Sequence, residues 1–454
     1  MISLFLVSCQ VFTPSIKSTA IPSRLATRFD PQPQATTTPS SMPLLFPTST
    51  APFPSPTQLP TSTNLPTSTS ISLDTQLRIF DSLWTIIKDT YVNPDFNGLN
   101  WDAIHEEYHQ LIKSGLNNDD FYSAMDELVY QLGDEHSYFL DPQQVMDQLN
   151  EYEGNYNYVG IGVMISAIPE RQHAVILSVF TGSPAEAAGL QPRDCILSVN
   201  GTPILDENGY LRDIVRGPEG TSITLSVQTP GENPRELQII RQQITGDYTI
   251  FHNVLIPPDG QRIGYIFLST FMDGTVDEQV AQALDEMSAA APLDGLILDN
   301  RMNEGGSSLV LEPILSYFTS GNMGFFIKNS EEYPLRIKRK DIDGSSEVPM
   351  VVLVGPGTAS FGEIFSGILQ DIGRAYLIGT ITQGNVEILW GYDLEDGSQL
   401  WLANETFRPL NHPDQDWEKS GIIPDLIVPG DFDQYPLDSD PVVMAALQYL
   451  SDQY

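Results

Sequence analysis

The chain has 454 residues, enough for two or three domains, and 41% of them are hydrophobic, so there is material for more than one core. Acidic residues outnumber basic ones 59 to 22, for a formal net charge of −37, which argues against nucleic acid or anionic lipid headgroups as partners. Two cysteines, Cys9 and Cys195, supply neither a disulfide framework nor a thiolate zinc cluster.

The chain opens on a short apolar run, Met1 to Val7, followed by Ser8 and Cys9. This resembles a lipoprotein-type signal over residues 1–9, in which Cys9 becomes the lipidated residue, although no Lys or Arg precedes the run and the run is short. Residues 10–73 are dominated by Ser, Thr and Pro, as in Leu59 to Thr69. Such a segment buries too little apolar surface to offset its ordering entropy and is expected to be a disordered tether. Together they predict an extracytoplasmic protein held at a membrane by an N-terminal lipid anchor alone.

Residues 74–148 read as helical. Leu77, Phe80, Leu83, Trp84, Ile87 and Tyr91 recur at spacings of three and four, as do Trp101, Ile104, Tyr108, Leu111 and Ile112. His105-Glu106-Glu107-Tyr108-His109 formally matches a zincin motif, but both histidines lie beside the apolar stripe, and a solvated helix face is the better reading. His136 follows in a turn. An imidazole there is suited to take a proton from a serine near neutral pH.

Between residues 149 and 236 the chain changes to short strands and turns. Tyr158 to Ile165 alternates apolar and small residues, Val175 to Phe180 is a second strand, and Ser183 caps a short helix before Gly189. Cys195 falls in a buried strand and reads as an inert core thiol. From residue 237 to 430 strands and helices alternate, an α/β layer pattern, before a C-terminal helical tail over 431–454. The strand Gly295 to Asp299 leads into the paired glycines Gly305 and Gly306, which let the backbone approach a ligand closely. Met350 to Val354 reads as a buried strand, and Glu363 to Ile372 as a helix, so Ser360 lies at a strand-to-helix turn. That geometry suits a nucleophile beside unpaired N–H groups, and equally suits a serine that only caps a helix.

The stretch from Gly160-Ile161-Gly162-Val163 to Asn200-Gly201 resembles a PDZ domain, which implies that the Gly160–Val163 loop captures a peptide C-terminus by strand addition. With it, Asp299 to Gly306, Thr358 to Ile364 and Leu369 to Ala375 occur in the order found in the carboxy-terminal processing, or tail-specific, serine peptidases. The resemblance implies a helical N-terminal segment, an inserted PDZ domain and a crotonase-like α/β peptidase core. It matches Ser360 to the nucleophile, with Glu363 and the glycine pair as support.

One departure is informative. The general-base lysine of that family corresponds to Asn385, and an amide cannot accept the proton. The related tricorn-like peptidases use a Ser-His-Glu arrangement, which the resemblance maps onto Ser360, His136 and Glu418, the last just ahead of Gly421-Ile422-Ile423-Pro424-Asp425. Glu135 stands where their motif has a serine. The oxyanion donors implied are the N–H groups of Gly305 or Gly306 and of Phe361, with no metal or cofactor. The expected activity is serine-type endopeptidase action on exported polypeptides recognised by their C-termini. A peptide-binding homologue that has lost catalysis with the lysine is the alternative, and Lys419, flanked by acids, reads as a solvated charge rather than a substitute base.

Overall fold

In a computed structural model, the structure describes residues 71–134, 136–152, 158–244, 249–328 and 330–453. Cys9, nearly all of the Ser/Thr/Pro-rich stretch and Glu135 lie outside the described residues.

Three helices, Leu73–Thr90, Trp101–Lys113 and Asn118–Tyr130, form the N-terminal segment. Each begins on a side-chain cap, Ser72, Asn100 and Asn117, whose oxygen accepts from the backbone N–H three residues on. Ile79, Phe80, Leu83 and Ile87 form the buried stripe of the first, and pack with Trp101, Tyr108, Phe121 and Leu128. His105 bonds Asp81 at 3.1 Å and stacks on Phe80 and on His109. Among the described residues, neither imidazole joins a group of three side chains able to hold a metal.

That helical layer rests on an antiparallel sheet. Its central strand, Gln399–Pro409, pairs with Tyr138–Leu140, Ile388–Asp393 and Gly321–Lys328. Two loops are thereby carried to one place: the His136 turn enters this sheet at Tyr138, and the Gly384–Glu387 segment enters it at Ile388.

The second layer is a six-stranded sheet in the order His252–Leu255, Ile263–Phe267, Gly295–Asp299, Met350–Val354, Tyr376–Gly379, Leu426–Ile427. All neighbours after the first pair are parallel. Strands 263–267, 295–299 and 350–354 are buried at every position because both faces are covered, which is why they read as unbroken apolar runs. Helices Val276–Ser288, Ser308–Phe318 and Phe361–Asp371 supply the core on one face. Pro441–Ser451 covers the other through Val442, Val443, Ala446 and Leu450.

The PDZ-like sheet is built on Val163–Ile168, His173–Val179, Cys195–Val199, Ser222–Gln228 and Arg235–Ile240. The single run expected from Tyr158 to Ile165 is instead two strands, 158–160 and 163–168, because Gly162 adopts φ 80° and an added Cβ would sit 2.3 Å from that of Ser183. Alternation along 163–168 sends Val163, Ile165 and Ala167 into the PDZ-like core, and Met164 and Ile168 onto the peptidase-core cluster. Val175 and Leu177 of the next strand belong to that same cluster.

A buried ion network locks this contact. Arg301 binds Asp299 at 2.6 Å and Asp440 at 2.7 Å, while Arg193 of the PDZ-like unit reaches Asp440 at 2.8 Å and Asp299 at 3.4 Å. Two cations face two carboxylates, and Tyr265 donates to Asp299 at 2.6 Å. Burial alone would push the Asp299 carboxyl up, but the two guanidiniums outweigh it and hold it below the usual range.

Candidate active site

Ser360 sits between the strand 350–354 and the helix 361–371 with φ 51° and ψ −126°, a conformation that L-residues avoid. Its side chain makes no capping bond, so the cap reading of this serine fails. The turn is over-determined from both sides: Ser360 N–H donates to the Asn385 carbonyl at 2.6 Å, Ala359 N–H to the Asn303 carbonyl at 2.9 Å, and the N–H groups of Glu363 and Ile364 to the Ser360 carbonyl. Strain of this kind costs on the order of 1–3 kcal/mol and persists where its surroundings enforce it.

Close backbone approach requires glycine in this loop. A Cβ on Gly362 would lie 2.4 Å from the Asn303 oxygen. The facing segment 300–306 is itself tied down, since Asn300 donates to the Gly362 carbonyl and Ser366 Oγ, each at 2.8 Å, and accepts from Asn303 at 2.9 Å. Asn303 Oδ1 in turn accepts the Gly305 N–H at 2.9 Å. Gly305 is thereby committed, contrary to the open choice between the two glycines. Among the described residues the N–H groups of Gly306 and Phe361 make no hydrogen bond, so both are free to donate to a ligand.

Gly306 has φ 143°, and an added Cβ would meet the Phe271 backbone at 2.1 Å. Gly306→Ala is therefore expected to displace the loop from Phe271 and lower kcat at least about a hundredfold, the loss typical of one oxyanion donor. Steady-state kinetics on the folded variant, verified by circular dichroism, check this.

His136 is held in its turn by Asp134, whose Oδ1 accepts the N–H groups of His136 and Ser137 and whose Oδ2 accepts the Ser137 hydroxyl at 2.6 Å. His136 Nε2 lies 2.8 Å from Glu418 Oε1. Glu418 Oε2 accepts from Val386 N–H at 2.7 Å and Glu387 N–H at 3.1 Å. Glu363 grips the same strip one step earlier, accepting from Gly384 N–H and Asn385 N–H at 2.8 Å each and from the Thr382 hydroxyl. Residues 384–387 thus tie Ser360, Glu363 and Glu418 together, and His136 through Glu418. Burial pushes the Glu363 carboxyl up to about 7, against the three donors that favour its ionised form.

Asn385, at the position of the family's lysine, contributes its backbone carbonyl to the serine turn. Lys419 is exposed and pairs with Asp416 at 2.5 Å. Participants not singled out from sequence include Asn300, Asn303 and Glu387, besides Asp134 and Thr382. The two asparagines lie inside the quoted glycine motif, while Glu387 carries no local signal.

In the PDZ-like unit, the N–H groups of Ala185 and Phe180 reach the carbonyls of Ile161 and Gly162, fixing the Gly160–Val163 loop against the Ser183-capped helix. Strand 163–168 is an edge of its sheet. Its Ser166 hydroxyl donates to Glu304 Oε1 at 3.4 Å, placing this edge beside the 300–306 segment.

Comparison with known proteins identifies the family and the fold. Residues 262–428 match peptidase family S41, residues 175–229 a PDZ domain and residues 76–129 a tricorn protease C1 domain. A carboxyl-terminal-processing protease of Synechocystis sp. is 32% identical over 76% of this chain and 79% of its own length. One from Picosynechococcus sp. is 29% identical over 81% and 87%. The solved structure of a photosystem II D1 C-terminal processing protease, at 27% identity, superposes with a TM-score of 0.56 over 81% of this chain and 96% of the other. The chain belongs to peptidase family S41, among the carboxyl-terminal-processing proteases, and is a serine-type peptidase with a PDZ domain.

Proposed function

We propose that Ser360 is the nucleophile, His136 its general base and Glu418 the residue that orients the imidazole, with Gly306 and Phe361 holding the oxyanion. The carrying observation is the 2.8 Å His136–Glu418 bond on the strip that also clamps the strained Ser360 turn. With Nε2–H donated to Glu418, Nδ1 keeps the lone pair, takes the Ser360 proton as the peptide carbonyl is attacked, and returns it to the leaving amine. Water then repeats the sequence on the acyl-enzyme.

The substrates are polypeptides bearing apolar C-termini, added as a strand to the edge 163–168 with the carboxylate at Gly160, Ile161, Gly162 and Val163. Cleavage of exported proteins from a lipid anchor at Cys9 is consistent with the Ser/Thr/Pro-rich stretch that follows it. No described helix is long and apolar enough to cross a membrane.

The test uses the full chain and an unstructured protein with an apolar C-terminus. Wild type is expected to cut; His136→Ala is expected to lose at least about a hundredfold in kcat/KM, a typical general-base contribution. Binding of the C-terminal peptide without any cutting would support an inactive peptide-binding protein instead.

The pH profile carries a second expectation. Burial opposes the imidazolium of His136, but the bond and charge of Glu418 outweigh it and raise the pKa above 6.5. The stability this pair adds is therefore complete below pH 6.5 and is lost as pH rises through the raised value. Catalysis needs the neutral form, so the acid limb of kcat/KM is expected above pH 6.5, and Glu418→Gln should move it to lower pH while reducing kcat. A limb unmoved by that substitution would remove Glu418 from the mechanism.

A further inference from the structure

Glu387 lies beside the His136–Glu418 pair and takes no part in the steps above. One donor atom from each of His136, Glu387 and Glu418 lies within 4.8 Å of the others. His136 and Glu387 are 6% and 8% exposed. Each leaves a buried polar atom, His136 Nδ1 and Glu387 Oε2, without a hydrogen-bond partner among the described residues. Such orphaned groups call for an explanation in a folded protein.

The charge balance sharpens the point. Glu387, Glu418 and, from the turn below, Asp134 surround a single imidazole, with Asp416 further off. No Lys or Arg forms an ion pair with Glu387 or Glu418 among the described residues. Glu387 is buried and Glu418 half-buried, and a bound cation would balance their charge in that enclosed position.

We propose that His136, Glu387 and Glu418 form a divalent-cation site of Zn²⁺ type whose occupation switches the peptidase off. The inference rests on the serine–histidine reading for its effect on activity, though not for the binding itself. One imidazole and two carboxylates with an open fourth position suit Zn²⁺, whereas Mg²⁺ and Ca²⁺ prefer all-oxygen shells. A metal shared with Glu418 would bind Nε2 in place of its hydrogen, so that the neutral imidazole carries its proton on Nδ1 and can no longer accept one from Ser360 there.

A second three-residue group, His173, Cys195 and Asp433, lacks these properties. Arg171 and His173 already satisfy Asp433, and burial pushes the Cys195 thiol up to about 12.

The test is titration of ZnCl₂ into the chelator-treated full chain carrying Ser360→Ala, followed by calorimetry, so that binding is read without turnover. One site per chain is expected. Adding Glu387→Gln, isosteric with the protonated acid, should weaken that site at least about tenfold, with unchanged circular dichroism and melting as the folding control. On the wild type, Zn²⁺ should inhibit cleavage and EDTA should restore it, while Mg²⁺ at the same concentration should do neither. Absence of the site, a site indifferent to Glu387→Gln, or equal inhibition by Mg²⁺ overturns the proposal. A wild type without cleavage but with a Glu387-dependent zinc site would overturn the serine–histidine reading and leave the metal site standing.

Discussion

Ser360→Ala is expected to lower kcat at least about ten-thousand-fold while leaving the fold intact, because a nucleophile acting as a unit with its base has no nearby substitute. Ser360→Gly should be equally inactive yet more stable than Ser360→Ala by about 1 kcal/mol, because glycine relieves the φ of 51° and gives back part of that gain as unfolded-chain entropy. Cleavage assays and melting curves on the two variants separate the contributions. If the glycine variant melted below the alanine variant, the turn would not be storing strain.

Asp440→Asn should cost about 3–5 kcal/mol, the penalty for breaking a buried pair and leaving the guanidiniums of Arg193 and Arg301 short of a countercharge. The effect should appear as a drop in the urea midpoint with little change in m. Arg339→Ala, which removes only the exposed partner of Glu347, serves as the contrast and should do almost nothing. A similarly small effect for Asp440→Asn would mean that the network is hydrated rather than sealed.

Much of this architecture was legible in the sequence. Helix stripes such as Ile79, Phe80, Leu83 and Ile87, and fully covered strands such as Met350–Val354, announce themselves because burial on one face or two imposes a period. The strand-to-helix turn at Ser360 was legible for the same reason. Its backbone strain was not, since serine gives no local sign of a positive φ. His136 and Glu418 are 282 residues apart, and only the family resemblance linked them; their 2.8 Å contact arises from a sheet that joins Tyr138 to Trp401 and Leu389 to Ala403. Glu387 shows the limit most clearly. Its burial and its orphaned oxygen are properties of what surrounds it, and a lone glutamate before a strand reads as solvated.

The ion network also bears on how such an enzyme coexists with copies of itself. On the strand-addition mode proposed above, residues 431–452 are a poor substrate, since 441–451 is helical. Phe432 stacks on Phe267 at 4.4 Å, Tyr449 stacks on Tyr376 at 4.1 Å, Asp440 is sealed between two arginines, and Leu450 is fully enclosed. These anchors pin the segment although Tyr435 and Met444 stay at the surface, so it is not presented as an extended chain. Loosening the arginine clasp would then do more than soften the fold, because it would release an extended segment of the kind that the proposed mode of uptake requires.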